Sequence, residues 1–265
     1  MTIPSFQRHI LAWHRKNRRD LPWRNTKDPY KILVSEIMLQ QTQVSRVLPK
    51  YEEFLRAFPT PKALAKTADA KLLSVWKGLG YWRRARYLKE TAFLLQEEFP
   101  KIPAQLELLP GIGPYTARAL ACFAFQHQEA FLDTNIRRVY LHFFFANTTN
   151  VSDKEILTIA QKAVWKRNPR EWHYALFDYG AIELKDKSIN KRSRHYAKQS
   201  KFEGSFRSFR TKVVRFLLDQ PNQTASSMKI ARMLRDAETL YSPGNIVQSL
   251  LKDGLIKKKG KSYSL

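Results

Sequence analysis

Apolar positions recur at helical spacing along nearly the whole chain, and convincing period-two alternation is absent until the last dozen residues. The pattern predicts helices over roughly 4–17, 30–46, 48–57, 62–67, 70–76, 81–97, 104–109, 114–125, 134–146, 153–165 and 170–183. Pro22, Pro29, Pro59, Pro61, Pro100, Pro103, Pro110 and Pro169 fall in the gaps or at helix starts, where a residue without an N–H is tolerated.

Between Lys185 and Phe206 large apolar residues thin out in favour of Lys, Arg, Ser, Asn and Gln, which predicts a basic, partly irregular linker at a domain boundary. Beyond it the pattern gives helices at about 206–219, 225–236 and 243–253, then two short strands around a Lys-Gly-Lys turn. That order resembles a winged helix, whose third helix commonly enters the major groove. The fold alone does not choose between DNA and another protein as its partner.

At 265 residues with 43% hydrophobic content, the chain can bury one good core and a smaller second one. No stretch reaches the ~18 apolar residues of a membrane span, and Met1–Trp23 lacks the apolar centre of a signal peptide, so a cytoplasmic protein is expected, nucleoid-associated if bacterial. The single cysteine, Cys122, lies in an apolar run and reads as a packing residue. One thiol excludes an internal disulfide or a cysteine-held metal cluster, and no metal site is expected. With 47 Lys+Arg against 23 Asp+Glu the net charge is +24, spread through the apolar-periodic segments rather than gathered in one tail. Such a field attracts a polyanion, and nucleic acid is the obvious one.

Two segments carry candidate chemistry. In Leu108-Leu-Pro-Gly-Ile-Gly-Pro-Tyr-Thr-Ala-Arg118, Gly111 and Gly113 sit in a proline-bracketed turn that joins two helices, and the helix N-terminus there, with Thr116, suits a phosphate. Asp133 follows, in Leu-Asp-Thr-Asn, where it also reads as the N-cap of the next helix. In the second segment Ile32, Leu33, Ile37, Met38 and Leu39 form an apolar helix face with Glu36 beside it. A lone glutamate at such an edge is more often solvated than functional.

The strings Leu21-Pro-Trp-Arg24, Ser35-Glu-Ile-Met-Leu-Gln-Gln-Thr-Gln-Val44, Gly78-Leu-Gly-Tyr-Trp-Arg-Arg-Ala-Arg86 and the hairpin with its Asp closely resemble the MutY family of adenine DNA glycosylases, in the helix-hairpin-helix (HhH-GPD) superfamily, over roughly residues 5–184. The resemblance implies an all-α, two-lobed glycosylase domain over 1–184, with a six-helix barrel lobe at about 24–131 and a second lobe from 1–23 and 132–184. The basic linker 185–205 and a small winged-helix-like α+β domain, 206–265, complete the expected organisation.

By the same resemblance Glu36 is the general acid that protonates a purine at N7, Asp133 stabilises the oxocarbenium-like sugar, and Asn135 positions Asp133. Tyr115 stands where endonuclease III-type relatives carry the Schiff-base lysine, and a phenol cannot form that imine, so a monofunctional enzyme is implied. Tyr81 and Gln41 match the intercalating wedge and its neighbour, although without the resemblance Tyr81 and Trp82 would read as core aromatics. Trp23, Arg24, Leu39 and Val44 match positions around the extruded base.

Three departures stand out. The four iron–sulfur cysteine positions read Glu183, Asn190, Ser193 and Gln199, so no cofactor is expected. Residues 206–265 do not resemble the family's 8-oxoguanine-recognising domain. His173 occupies a place where relatives carry Glu or Gln against the adenine edge, and an imidazole that donates there would favour the O6 of hypoxanthine. A histidine that only packs is the plainer reading. The expected function is excision of a purine from double-stranded DNA by a monomer, adenine in a mismatch first and hypoxanthine second, against the rival of a non-catalytic lesion sensor.

Overall fold

The computed structural model describes residues 1–95, 98–198, 200–235 and 241–265. Contacts group the chain into two compact units, Met1–Glu36 with Phe99–Lys198, and Ile37–Glu98 with Gln199–Leu265. Each is assembled from two stretches of sequence, so the expected lobe 24–131 is divided between them, and the C-terminal segment groups with residues 37–98.

The first unit is built on α1 (Ile3–Asn17), the first turns of α2 (Pro29–Leu39), α7 (Pro103–Leu106), α8 (Pro114–Phe125), α9 (Thr134–Phe144), α10 (Asp153–Ala163) and α11 (Pro169–Asp178). Local chemistry starts these helices. Asp28 accepts from the N–H groups of Tyr30 and Lys31, Ser152 and Glu155 form a reciprocal capping box, and Asn168 caps α11. Phe6 is fully buried at the centre, with Trp172 edge-on at 5.5 Å and Tyr140, Phe143 and Phe144 around it. The helix expected over 170–183 stops at Asp178 and continues as a π-helical turn, Tyr179–Glu183.

The expected linker is not loose throughout. Lys187–Arg192 forms a 3₁₀ helix against α9 with Ile189 and Asn190 buried, and Val151 bridges to Arg192 and Arg194 through two backbone hydrogen bonds of 2.9 Å.

In the second unit α3 (Val44–Ala57), α4 (Pro61–Lys66), α5 (Asp69–Trp76) and α6 (Arg83–Leu94) enclose Val47, Tyr51, Phe54, Leu64, Leu72, Trp76 and Leu88. The helix expected over 30–46 is in fact two. It breaks after Leu39, with Gln41 at φ 55°, and α3 begins at Val44. The cause lies forty residues on. The Arg84 guanidinium donates to the carbonyls of Ile37, Met38 and Gln40 at 2.6–2.9 Å and to Thr42 Oγ1 at 3.0 Å, satisfying the end of α2 from outside. The helix expected over 81–97 ends at Leu94, and Gln96 and Glu97 lie outside the described residues.

The C-terminal segment has α12 (Phe206–Leu218), α13 (Ser227–Met233) and α14 (Pro243–Lys252) around Val213, Leu217, Ile230, Ile246 and Leu250. Asp236, at the end of the expected helix 225–236, lies outside the described residues. The sheet has three strands where two were expected. β1 (Thr224–Ser226) joins β2 (Lys257–Lys259) and β3 (Ser262–Ser264) in the antiparallel order β1-β3-β2. A three-residue strand is too short to announce itself by periodicity and exists because β3 offers it an edge. Among the described residues no helix is long and apolar enough to cross a membrane.

Candidate active site

Glu36 lies on α2 in the first unit, amid the apolar face that the sequence placed beside it. Its neighbours Ile32, Leu33, Val34 and Ile37 are buried, and Glu36 itself is 6% exposed. Burial is the largest cause of a pKa raised to about 8, and the negative field of Asp133 is the next. A hydrogen bond from the Tyr115 phenol and the charge of Arg24 pull it partly back. Glu36 is thus a protonated carboxylic acid at neutral pH, not the solvated glutamate of the plainer reading.

Asp133 stands at the head of α9. Its Oδ1 accepts from the backbone N–H groups of Asn135 (2.9 Å) and Ile136 (2.7 Å), and its Oδ2 accepts from Asn135 Nδ2 (2.9 Å). It therefore caps the helix, and the cap fixes both carboxylate oxygens. Burial raises its pKa above the usual aspartate value while these bonds and Arg137 work against the rise. Asp133 and Asn135 owe their position to Gly180 in the π-helical turn: a Cβ there would overlap the Asn135 carbonyl oxygen, with the carbonyl carbon 2.8 Å away.

Tyr115, in the first turn of α8, is half-buried beside both acids, and desolvation with their charges holds its phenol well above the usual value. The turn that feeds α8 has Gly111 at φ 73°, a conformation that favours glycine, and Gly113 as the N-cap, with open space where a Cβ would stand. Pro114 has no N–H, and the first backbone bond of the helix runs from Ala117 to Gly113. Thr116 is 3% exposed, so its hydroxyl is turned inward.

His173 is 1% exposed and stacked on Phe131 with centroids 4.0 Å apart. Its Nδ1 lies 2.7 Å from the Pro169 carbonyl and 3.5 Å from Cys122 Sγ. A carbonyl only accepts, so Nδ1 carries the proton, and burial pushes the imidazole pKa down to about 4, leaving Nε2 bare. Nε2 is therefore an acceptor and not the donor that would favour hypoxanthine, and a ring so buried and stacked is packed as the plainer reading has it.

The Arg24 guanidinium is committed to Asp178, a carboxylate with no exposed side-chain surface, through bonds of 2.7 and 2.9 Å. It also lies over the Tyr174 ring at 4.5 Å. Trp23 is 4% exposed beside it in a 3₁₀ turn, Pro22–Arg24. Asp178 also takes Arg19 at 2.6 Å. Neither Asp178 nor Arg170, which donates to the Phe123, Arg24 and Thr26 carbonyls, was singled out by sequence. A charged residue on an amphipathic helix reads as solvated, and only its partners from distant segments show otherwise.

Leu39, Gln41, Val44 and Tyr81 belong to the second unit. Leu39 and Val44 are half-buried at the break between α2 and α3, Gln41 is exposed, and Tyr81 is half-buried after Gly80. Of the four iron–sulfur positions, Glu183 accepts from Trp13 Nε1 at 2.9 Å, while Asn190 and Ser193 are buried in the 183–193 loop. Gln199 lies outside the described residues.

Comparison with known proteins gives this geometry its context. A family model described as the HhH-GPD superfamily base excision DNA repair protein matches residues 34–166. An adenine DNA glycosylase of Buchnera aphidicola subsp. Baizongia pistaciae is 38% identical over 191 residues, covering 69% of this chain and 54% of that protein. One of Mycobacterium tuberculosis is 46% identical over 136 residues, 49% of this chain and 45% of that protein. The chain thus spans about half the length of the curated relatives it matches. Among solved structures, a thermostable thymine-DNA glycosylase aligns with a TM-score of 0.63 and 31% identity over 68% of this chain and 86% of that one. A non-covalent endonuclease III–DNA complex aligns with a TM-score of 0.58 at 18% identity, over 70% of this chain and 89% of that one, a likeness of fold.

Proposed function

The chain belongs to the HhH-GPD superfamily of base excision DNA repair proteins, and on that premise we propose that it is a monofunctional DNA glycosylase that extrudes adenine from a mismatch and hydrolyses its N-glycosidic bond. One observation carries the reading. Glu36 keeps its proton to about pH 8 beside a second carboxyl group, Asp133, whose charge helps to hold it there. An acid that keeps its proton beside a carboxyl group that bears the charge is what an acid-assisted glycosidic cleavage needs.

Glu36 donates its proton to N7 of the purine as the bond to C1′ breaks, so the bonding pair leaves with a base that is already neutralised. Positive charge develops on the sugar and is met by the Asp133 carboxylate, whose orientation Asn135 fixes. Water adds at C1′ and releases a proton that returns through solvent to Glu36, giving free adenine and an abasic site. Tyr115 supplies a hydrogen bond to Glu36 and no amine, so the strand is not cut through an imine.

An acceptor at His173 would favour adenine over hypoxanthine. Its Nε2 accepts, which suits the exocyclic amino group of adenine and is repelled by a carbonyl O6. Trp23 and Arg24 are the base-pocket residues of the first unit in this reading. The backbone at Gly111, Gly113 and Thr116 holds a phosphate of the duplex, and Tyr81 with Gln41 fills the gap left by the base.

The protein is proposed to work without an iron–sulfur cluster. The donor set does not fit one, since Glu183, Asn190, Ser193 and Gln199 offer no thiolate and the only thiol, Cys122, is buried in α8. Burial of Ile189 and Asn190 and the bridge to Val151 support a loop held by the protein itself.

The test is a panel of duplexes carrying A, hypoxanthine, T or U opposite G or 8-oxoguanine, with free base measured chromatographically. Adenine is expected from a mismatch, with strand breakage only after alkali. Release of thymine or uracil alone would move the substrate class, and no release from any duplex that is bound would favour the lesion sensor.

A further inference from the structure

The second unit contains a contact that ties its C-terminal module to the loop at Gly78–Tyr81. That loop is stiff. Trp76 Nε1 donates to the Gly80 carbonyl at 3.0 Å, and Arg84 donates to the Leu79 and Gly80 carbonyls at 3.0 and 3.2 Å. Gly78 and Gly80 have φ values of 104° and 70°, and Tyr81 itself has φ 44°, a left-handed conformation that a tyrosine adopts only when its surroundings impose it.

The Tyr81 ring carries two guanidinium groups, those of Arg84 and Arg207, each 5.4 Å from its centroid. Arg207 comes from the first turn of α12. Its Nη1 donates to the Tyr81 hydroxyl, and its Nη2 donates to the Ser200 carbonyl at 3.0 Å. One side chain thus joins the entry to the C-terminal module with the tip of the phenol.

The module that carries Arg207 is itself latched to the helices around that loop. The Asp253 carboxylate accepts from Arg210 and from Arg83, the latter at 3.3 Å, and its carbonyl accepts from Arg86 at 2.6 Å. Lys77 meets Asp219 at 3.1 Å. Gly254, at φ 60°, follows Asp253, and any Cβ there would collide with the Arg86 guanidinium.

We propose that Arg207 is a positioning residue for Tyr81: the C-terminal module holds the phenol in the pose from which it enters the base stack. The inference rests on the reading of Tyr81 as the intercalating ring. A ring fixed before it meets DNA loses little further rotamer freedom on insertion, and the module supplies that fixation through a charge-assisted hydrogen bond and a cation on the ring face.

The experiment uses the full chain under single turnover at saturating protein, with a duplex carrying 2-aminopurine beside the mismatched adenine to report unstacking. Arg207→Ala and Tyr81→Phe are each expected to slow unstacking and excision roughly tenfold, the worth of one charge-assisted hydrogen bond. The double variant is expected to be no slower than either alone, and Arg207→Lys to recover part of the rate. Tyr81→Phe removes only the hydroxyl and serves as the second variant should Arg207→Ala lower the melting temperature. Wild-type rates in Arg207→Ala with a slow Tyr81→Ala overturn the positioning role and leave the wedge intact. Losses that multiply in the double variant overturn it as well. A Tyr81→Ala variant as fast as the wild type removes the wedge, and the proposal with it.

Discussion

After burial, the negative field of Asp133 is the largest cause of the raised pKa of Glu36. The two acids titrate in a fixed order because their surroundings differ. Asp133 accepts three hydrogen bonds at the head of α9 and has Arg137 near it, whereas Glu36 has one bond from a phenol and the partial help of Arg24. The charge settles on Asp133 and the proton on Glu36.

Replacing either acid by its amide removes one of these roles without removing volume. Glu36→Gln cannot deliver a proton, and a loss of excision on the order of 10³-fold is expected. Asp133→Asn still caps α9, since asparagine is an equally good N-cap, so the fold is retained while excision falls on the order of 10²-fold or more. Duplex affinity, measured by fluorescence anisotropy, is expected to stay within about threefold in both, because neither residue neutralises a phosphate. Excision surviving in both variants removes these residues from the chemistry.

The proposed chemistry implies an alkaline limb in the rate. With Glu36 losing its proton near pH 8, single-turnover excision is expected to fall about tenfold per unit above that point, and to be level below it until Asp133, its own pKa raised by burial, takes up a proton. The same shift acts on stability. The folded chain holds a proton that the unfolded chain releases at the ordinary value of 4.5, so stability is undiminished below 4.5 and declines until about pH 8, by roughly 1.4 kcal/mol per unit. Glu36→Gln abolishes that decline. Its melting temperature should exceed the wild type's by more at pH 8 than at pH 5, and an equal difference at the two pH values would contradict the assignment.

Tyr115→Phe deletes the hydrogen bond that lowers the Glu36 pKa. The alkaline limb is then expected to move upward, above about pH 8, while the plateau rate drops by no more than about tenfold. A pH–rate profile that keeps its wild-type midpoint would show that the phenol does not act on Glu36.

Gly180→Ala tests the support beneath Asp133. The added methyl would overlap the Asn135 carbonyl and press the head of α9 away from the π-helical turn. A cost of about 1–3 kcal/mol in urea unfolding is expected, as for other overpacked sites. Excision should fall further than this cost requires, by about 10²-fold, because the carboxylate moves. Unchanged kinetics in a destabilised variant would separate the glycine's packing from the site.

Where local chemistry decides, the sequence by itself determined the outcome. Helical spacing gave nearly all the helices, the Gly-Ile-Gly turn gave the hairpin, and Leu-Asp-Thr-Asn announced a capped helix with Asp133 at its head. Even Glu36 could be placed beside an apolar face, since a period of 3.6 fixes which residues share a side. What that acid does with its proton was left to the tertiary structure. Its pKa depends on burial and on Asp133, brought near by folding and not by spacing. The break at Gln41 needed Arg84 to take the carbonyls of α2, the third strand needed the edge of β3, and the tautomer of His173 needed the Pro169 carbonyl. Asp178 became legible only once Arg19 and Arg24 closed on it. Periodicity and capping act within a few residues, whereas desolvation, coulombic fields and long-range hydrogen bonds arise only when distant segments are packed together.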